Sequence, residues 1–256
     1  MSAEINPLIL LAVAEKAARR SAGMITRAMT THLKVNEATQ HDIKLQLDVD
    51  SQKLITETFR AHFPDHALLG EEGEHRDADL SPDQYEWIID PIDGTVNLAY
   101  GIPHFCISIA CRRGEEILAG VVMDPMRNEC FTASKGGGAF CNGLPMYVSK
   151  RTRLDEAIMA LGYGSAEAIP KYLELFTYYV HQLRKIRLMG AAALDMAYIA
   201  SGRIDAYIEQ GVKIWDIAAG KILVEEAGGK CILTPLEKRF QYHLQASNGL
   251  LSLPVV

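Results

Sequence analysis

The chain of 256 residues has no disulfide framework. Its five cysteines (Cys106, Cys111, Cys130, Cys141 and Cys231) are an odd number, and no two have the Cys-x-x-Cys spacing of zinc or thiol-redox sites. They read as small core residues of a reducing compartment. A basic excess is also lacking. The formal net charge is −6, which argues against a nucleic-acid partner, since that needs a basic face. There is no long apolar run: Leu8 to Val13 is too short to cross a bilayer, and Glu4 stands where a signal peptide would be basic. The expectation is a cytoplasmic protein with no membrane partner. Internal repeats and low-complexity tracts are missing too. The glycine-rich stretch Gly136-Gly137-Gly138-Ala139-Phe140-Cys141-Asn142-Gly143 has no P-loop lysine and reads as hairpin turns.

What is present suits one compact catalytic unit over residues 1–256, and 48% apolar residues suffice for a sizeable core. Leu10, Val13, Ala14, Ala17, Ser21, Met24, Ile25 and Ala28 recur at helical spacing, which predicts an amphipathic first helix. Ile43, Leu45 and Leu47 alternate with polar residues, as in a short strand that delivers Asp48. Leu54, Ile55, Thr58 and Phe59 mark a second helix closed by Pro64. Ala67-Leu68-Leu69 then empties into Gly70-Glu71-Glu72-Gly73, followed by an acidic surface loop from Glu74 to Asp83. Strand-like runs follow at Phe105–Cys111, Ile117–Met123 and Glu129–Ala133. From Ala157 strand and helix alternate: Ala157–Leu161, Tyr172–Leu183, Lys185–Leu188, Ala191–Ala200, Ile204–Glu209, Trp215–Ala227 and Lys230–Leu233. A meander-like half (about 1–150) and an α/β half (about 151–256) predict an α/β or α+β fold with its site at the seam.

The most informative segment is Asp90-Pro91-Ile92-Asp93-Gly94-Thr95. It follows the buried-strand pattern Trp87-Ile88-Ile89 and precedes Val96-Asn97-Leu98-Ala99-Tyr100, which can open a helix. Two carboxylates flank a stiff turn, and Gly-Thr offers amides at a helix start. That combination suits a phosphate ester held against a hard divalent cation. Three further carboxylates end apolar runs: Asp48, Glu71 and Asp216. Taken alone, Asp48 and Asp216 read as helix caps, and Glu71 with Glu72 as a solvated loop. One shared metal site explains all of them more economically.

Asp90-Pro91-Ile92-Asp93-Gly94-Thr95, then Trp215-Asp216 with Gly228-Gly229 after eleven residues, resembles the signature of the lithium-sensitive, Mg²⁺-dependent inositol monophosphatase family. Gly70-Glu71-Glu72 matches its first acidic motif. Gly101-Ile102-Pro103 and Gly190-Ala191-Ala192-Ala193 extend the likeness over nearly the whole chain. The resemblance implies a layered α-β-α-β-α sandwich and two or three Mg²⁺ ions. Glu71, Asp90 and the Ile92 carbonyl would hold the first ion. Asp90, Asp93 and Asp216 would hold the second, and Glu71 would assist a third through water. The implied catalytic residues are Glu71, Thr95 and Asp48, with the Thr95 hydroxyl, oriented by Asp48, positioning the attacking water. Gly94 and Thr95 amides would grip the phosphate, while Gly190, Ala191, Ala192 and Glu209 would face the substrate's hydroxyls. Glu71, Ile92, Asp93 and Asp216 would border the bound substrate as well. One departure concerns Asp48: the family places a threonine-containing turn just before it, and this chain has Lys44-Leu45-Gln46-Leu47.

The implied activity is Mg²⁺-dependent hydrolysis of a small polyol phosphate, myo-inositol monophosphate first, by in-line attack of water. No protein nucleophile is required, so a Ser or Cys elbow is not expected. Histidinol phosphate, fructose 1,6-bisphosphate and 3′-phosphoadenosine phosphates are the alternative substrates. Arg187 and Lys213 are candidates for a second anionic group, and Glu209 read alone is an ordinary strand-end charge. Two rival classes were weighed. Leu45-Gln46-Leu47-Asp48-Val49-Asp50-Ser51 is similar to the first motif of haloacid-dehalogenase-type phosphatases, but no later motif of theirs follows. A regulatory binding protein on the same fold would keep the architecture and work through partners. The resemblance also implies a homodimer and inhibition by Li⁺.

Overall fold

The structure, a computed structural model, describes residues 4–30, 33–39, 43–73, 80–164 and 166–254. Its first helix, α1 (Pro7–Ala28), opens where Asn6 accepts the Leu8 N–H at 2.9 Å and Pro7 supplies a pre-set φ. Leu10, Val13, Ala14, Ala17, Ala18, Ser21, Ala22 and Ile25 form its buried face, so the helical spacing is borne out. β1 (Val35–Ala38) and β2 (Ile43–Leu45) pair antiparallel. They lead to α2 (Gln46–His62), β3 (Ala67–Gly70), β4 (Tyr85–Asp93) and the single turn of α3 (Thr95–Ala99). A meander follows: β5 (Cys106–Arg113), β6 (Glu116–Asp124), β7 (Glu129–Ser134), β8 (Gly138–Cys141) and β9 (Leu144–Pro145). Strands β3 to β9 form one seven-stranded sheet in sequence order, antiparallel except where β3 runs parallel to β4.

The second half contains β10 (Ile158–Tyr163), α4 (Ile169–Val180), β11 (Lys185–Arg187), α5 (Ala192–Ala200), β12 (Ala206–Lys213), α6 (Ile214–Glu226), β13 (Lys230–Pro235) and β14 (Gln241–Ser247). Its five strands lie in the order β11-β10-β12-β14-β13. Helices α1 and α2 cover one face of the large sheet, and α5 and α6 pack between the two sheets. Helix α4 lies on the small sheet. This is the α-β-α-β-α sandwich expected above.

The layering follows from side-chain size and polarity. Helix α6 buries Trp215, Ile217, Ala218, Ala219, Ile222, Leu223 and Val224, apolar residues on more than one face, because it faces a sheet on each side. It approaches β6 closely over Gly120, where a Cβ would stand 2.5 Å from Ile222 and 3.0 Å from the Ala219 carbonyl oxygen. On the far face, Phe59 of α2 stacks on Trp87 of β4 with ring centroids 4.0 Å apart. Such a pair contributes about 0.5–1.5 kcal/mol beyond its burial.

Several expectations change. The hexapeptide is not a turn after a strand: β4 continues buried through Asp93, with a bulge between Asp90 and Asp93. Leu47 and Asp48 belong to helix α2, so the alternation at 43–47 describes a strand only as far as Leu45. Strands β1, β8, β9 and β14 are not among the expected elements. β14 does alternate, Tyr242, Leu244 and Ala246 against Gln241, His243, Gln245 and Ser247. Both sets are largely buried because the strand lies inside the small sheet between β12 and β13. The glycine-rich stretch does form hairpin turns, with positive φ at Gly136, Gly138 and Gly143. In the acidic segment Glu74 to Asp83, residues 74–79 lie outside the described residues. The five cysteines are free, and Cys106, Cys111 and Cys130 are buried. Among the described residues, no helix is long and apolar enough to cross a membrane.

Candidate active site

A cleft of about 620 Å³ opens at the seam of the two halves. Glu71, Asp90, Ile92, Asp93, Gly94, Thr95, Gly190, Ala191, Ala192, Glu209 and Asp216 all line it. The fold thus gathers residues spread over nearly 150 positions of sequence. Asp48 stands behind Thr95. The Thr95 hydroxyl is 2.8 Å from the Ile92 carbonyl oxygen and 3.2 Å from Asp48 Oδ1, with one proton to give to either.

Each carboxylate is fixed by local backbone. The Ile92 N–H donates to Asp90 Oδ1 at 2.9 Å, closing the bulged turn of the motif. Both oxygens of Asp93 accept amides from the start of α5, from Ala192 at 3.1 Å and Ala193 at 2.7 Å. A residue of the first half is thereby locked to a helix of the second, and the Ala192 amide is engaged with protein. The Glu71–Glu72 corner is clamped by Gln52, which donates to the Glu72 carbonyl at 2.5 Å and accepts its N–H at 3.0 Å. Ser108 pairs with Asp90 across β4 and β5 and donates to the carbonyl of Trp215 at 3.0 Å, just before Asp216. Asp48 and Asp216 are not N-caps. Each occupies the third position of its helix and accepts the N–H of the residue before it.

Supporting residues were missed in the sequence: Gln52, Ser108 and also Asn97, whose amide donates to the carbonyls of His104 at 2.7 Å and Met189 at 2.8 Å. No spacing rule announces them, since apart from the Asn97–His104 contact their partners are 20 to 107 residues away. Two other candidates stand elsewhere. Arg187 and Lys213 do not line the cleft; Arg187 is exposed on the edge strand β11, and the Lys213 ammonium lies over the Trp215 ring. Glu209 sits in mid-strand on β12, 8% exposed, and is no strand-end charge.

The electrostatics are one-sided. No Lys, Arg or His lines the cleft among the described residues. Burial, then the neighbouring charges of Asp216 and Asp48, pushes Glu71 up to about 8. Burial likewise lifts Asp93 to about 8, against the amides that bind it. Asp90 and Asp216 are raised well above the ordinary carboxylate range, and Asp48 reaches about 7, in each case by burial first. Glu71 and Asp216 lie beside Asp90, so these crowded carboxyls hold their protons more tightly than free ones. Those protons partly offset the negative charge of the cluster, and Lys213, outside the lining, also acts on Asp216 and Glu71 through its charge. Among the described residues no three acidic, histidine or cysteine side chains close around a point as finished ligands. The donor chemistry nevertheless fits a hard divalent cation: carboxylate oxygens, a carbonyl at Ile92, no sulfur and no imidazole.

The model of the inositol monophosphatase family matches residues 9–252. The chain belongs to that family. It is 40% identical over 226 residues to the Nus factor SuhB of Pseudomonas aeruginosa, covering 86% of this chain and 83% of that protein. Its fold matches the extragenic suppressor protein suhB of Bartonella henselae with a TM-score of 0.87 and 33% identity, over 94% of this chain and 95% of that one. The inositol monophosphatase of Anabaena (Nostoc) superposes with a TM-score of 0.82, also at 33% identity, over 96% and 93% of the two chains. Membership supports phosphatase activity on a small phosphate ester in a metal-dependent family.

Proposed function

We propose that this inositol-monophosphatase-family chain is a Mg²⁺-dependent phosphomonoesterase for a small polyol phosphate, with myo-inositol monophosphate as first substrate. The observation that carries this reading is the cleft in which Glu71, Asp90, Asp93 and Asp216 converge, with the Thr95 hydroxyl between Asp48 and the Ile92 carbonyl. Glu71, Asp90, Asp93, Asp216 and the Ile92 carbonyl would hold two or three Mg²⁺ ions. When bound, those ions supply neutralisation of the phosphate and a water of lowered pKa.

The remaining roles belong to the chain itself. The Thr95 hydroxyl orients a water and passes a proton toward Asp48 Oδ1, whose pKa near 7 suits a base at neutral pH. Amides of Gly94 and Thr95 bind the phosphate. Glu209, with Gly190, Ala191 and Ala192, meets the hydroxyls of the departing alcohol. Among the described residues the lining has no Lys or Arg to meet a second phosphate, which favours monophosphates over fructose 1,6-bisphosphate and phosphoadenosine phosphates. We read residues 1–256 as one catalytic domain, since the cleft draws on both halves, and expect a Li⁺-sensitive homodimer.

Phosphate release from inositol monophosphate, histidinol phosphate, fructose 1,6-bisphosphate and 3′-phosphoadenosine 5′-phosphate, with saturating Mg²⁺ and with chelator, tests the reading. The expected result is Mg²⁺-dependent turnover with the highest kcat/KM for inositol monophosphate. A higher value for histidinol phosphate overturns the substrate, and no release from any compound overturns the activity. A second reading rests on the name of the relative from Pseudomonas, Nus factor. The chain then works through partners on the same fold, and the acidic charge balance does not exclude a nucleic-acid assembly. A variant without phosphatase activity that still replaces the wild-type chain in cells favours that second reading.

A further inference from the structure

Tyr207 and Glu209 lie two residues apart on β12, so both side chains leave the same face of the sheet, and both line the cleft. The Tyr207 hydroxyl donates to Glu209 Oε2, which leaves Oε1 for a ligand. Directly beside them on the parallel strand β10 stand Ala160, opposite Tyr207, and Gly162, opposite Glu209. A Cβ at Gly162 would stand 2.4 Å from Glu209 Oε2 and 2.7 Å from the Tyr207 oxygen, closer than real Cβ atoms approach. Gly162 is not among the glycines with positive φ. Space, not backbone conformation, therefore favours glycine there: a methyl group would push the ends of the Glu209 and Tyr207 side chains aside.

We propose that Tyr207 and Gly162 determine specificity at this site: Tyr207 is a positioning residue that holds the Glu209 carboxylate in the cleft, and Gly162 leaves the slot it occupies. The substrate class so selected is a phosphate monoester whose alcohol bears a further hydroxyl, the donor that a buried carboxylate lacks. This rests on the phosphomonoesterase reading above. The pair is almost wholly buried, with Tyr207 at 3% and Glu209 at 8% exposure. Burial, and then the charge of Glu209, keeps the Tyr207 phenol protonated and therefore a donor. Without that hydroxyl the carboxylate loses a charge-assisted partner and relaxes among rotamers, so binding of a ligand hydroxyl must first reorder it.

The test compares two substrates, myo-inositol 1-phosphate and phenyl phosphate, which has no further hydroxyl. Steady-state kinetics with Mg²⁺ are run on the wild type, Tyr207→Phe, Gly162→Ala, Glu209→Gln and the Tyr207→Phe/Glu209→Gln double variant. For Tyr207→Phe the expected result is a rise of about tenfold in KM for inositol phosphate, the loss of one hydrogen bond to a charged group. The preference for inositol phosphate over phenyl phosphate in kcat/KM falls by the same factor. Gly162→Ala shifts the preference in the same direction. In the double variant Tyr207→Phe adds less than twofold to the effect of Glu209→Gln. A preference within twofold of wild type in Tyr207→Phe, or additive effects in the double variant, overturns the proposal. Should Gly162→Ala fail to fold by circular dichroism, Tyr207→Phe decides alone, because it removes a single oxygen. A wild type inactive on both esters overturns the parent reading instead, and this inference with it.

Discussion

Asp48 and Asp216 hold the same position in two helices that belong to different halves of the chain. Each is the third residue of its helix, and its Oδ2 accepts the N–H of the residue before that helix, from Leu45 at 2.6 Å and Lys213 at 2.9 Å. One oxygen thus serves the helix start, as in the acidic half of a capping box. The other is left for the site: Asp48 Oδ1 meets the Thr95 hydroxyl. A structural job and a proposed chemical one share one carboxylate. The cap-like reading of these residues and the catalytic reading are therefore compatible.

Asp48 and Thr95 are proposed to act as a unit, so their losses will not add. We expect Thr95→Ala and Asp48→Asn each to lower kcat about 100-fold, with little change in KM. The double variant should be no slower than the worse single one. Stopped assays of phosphate release over the four proteins check this, and multiplicative losses would contradict it.

Asp90 touches both Glu71 and Asp216 and is 2% exposed. Replacing it with Asn keeps the shape and removes a carboxyl whose ionisation burial and its neighbours oppose. Asp90→Asn should abolish Mg²⁺-dependent turnover while the metal-free protein melts no lower than wild type. Near-normal activity in that variant would sink the metal-site assignment.

The acidic cluster also sets a pH dependence for the metal-free chain. Glu71 and Asp93 titrate at about 8 and Asp48 at about 7 when folded, all raised first by burial. Unfolded carboxylates titrate near about 4. Between those limits the folded chain binds more protons than the unfolded one, so stability falls as pH rises through the window. With chelator present, Tm should be higher at pH 5.5 than at pH 8. Mg²⁺ should raise it more at pH 8 than at pH 5.5. Scanning fluorimetry across this range decides, and a profile that rises toward pH 8 under chelation would refute the assignment of these shifts.

Gly120 is where α6 meets the large sheet, and α6 carries Asp216. A methyl group there collides with Ile222 and with the backbone of Ala219. Overpacking of this kind costs about 1–3 kcal/mol. Gly120→Ala should therefore lower Tm by roughly 2–4 °C per kcal/mol and weaken Mg²⁺ activation as Asp216 shifts. Unchanged melting would show that the layers have slack there.

The elements that could be read directly were those whose burial leaves a periodic trace. Helix α1 shows its apolar face at Leu10, Val13, Ala14 and Ala17, and β4 to β7 show continuous apolar runs. Strand β14 also alternates, Tyr242, Leu244 and Ala246 against polar neighbours, and only the structure buries His243, Gln245 and Ser247 on its other face. The start of α2 was placed too late because Ile43, Leu45 and Leu47 fit a two-residue period, although the chain turns helical after Leu45. Glu71, Asp90, Asp93, Thr95 and Asp216 were legible as candidates because they follow apolar runs in motifs whose order is recognisable.

The sequence by itself determined the composition of the site: carboxylates at Asp48, Glu71, Asp90, Asp93 and Asp216, a hydroxyl at Thr95, and a family signature. Alternating apolar segments also determined the α/β character, while the layered sandwich was what the family resemblance implied. Only the tertiary structure decided how these groups are held. Asp93 is pinned by amides of α5 about 100 residues away, Gln52 clamps the Glu71–Glu72 corner, and Gly162 leaves room for Glu209 beside Tyr207. Such contacts depend on distance in space between residues remote in the chain. Local propensity and periodicity report only on neighbours along it.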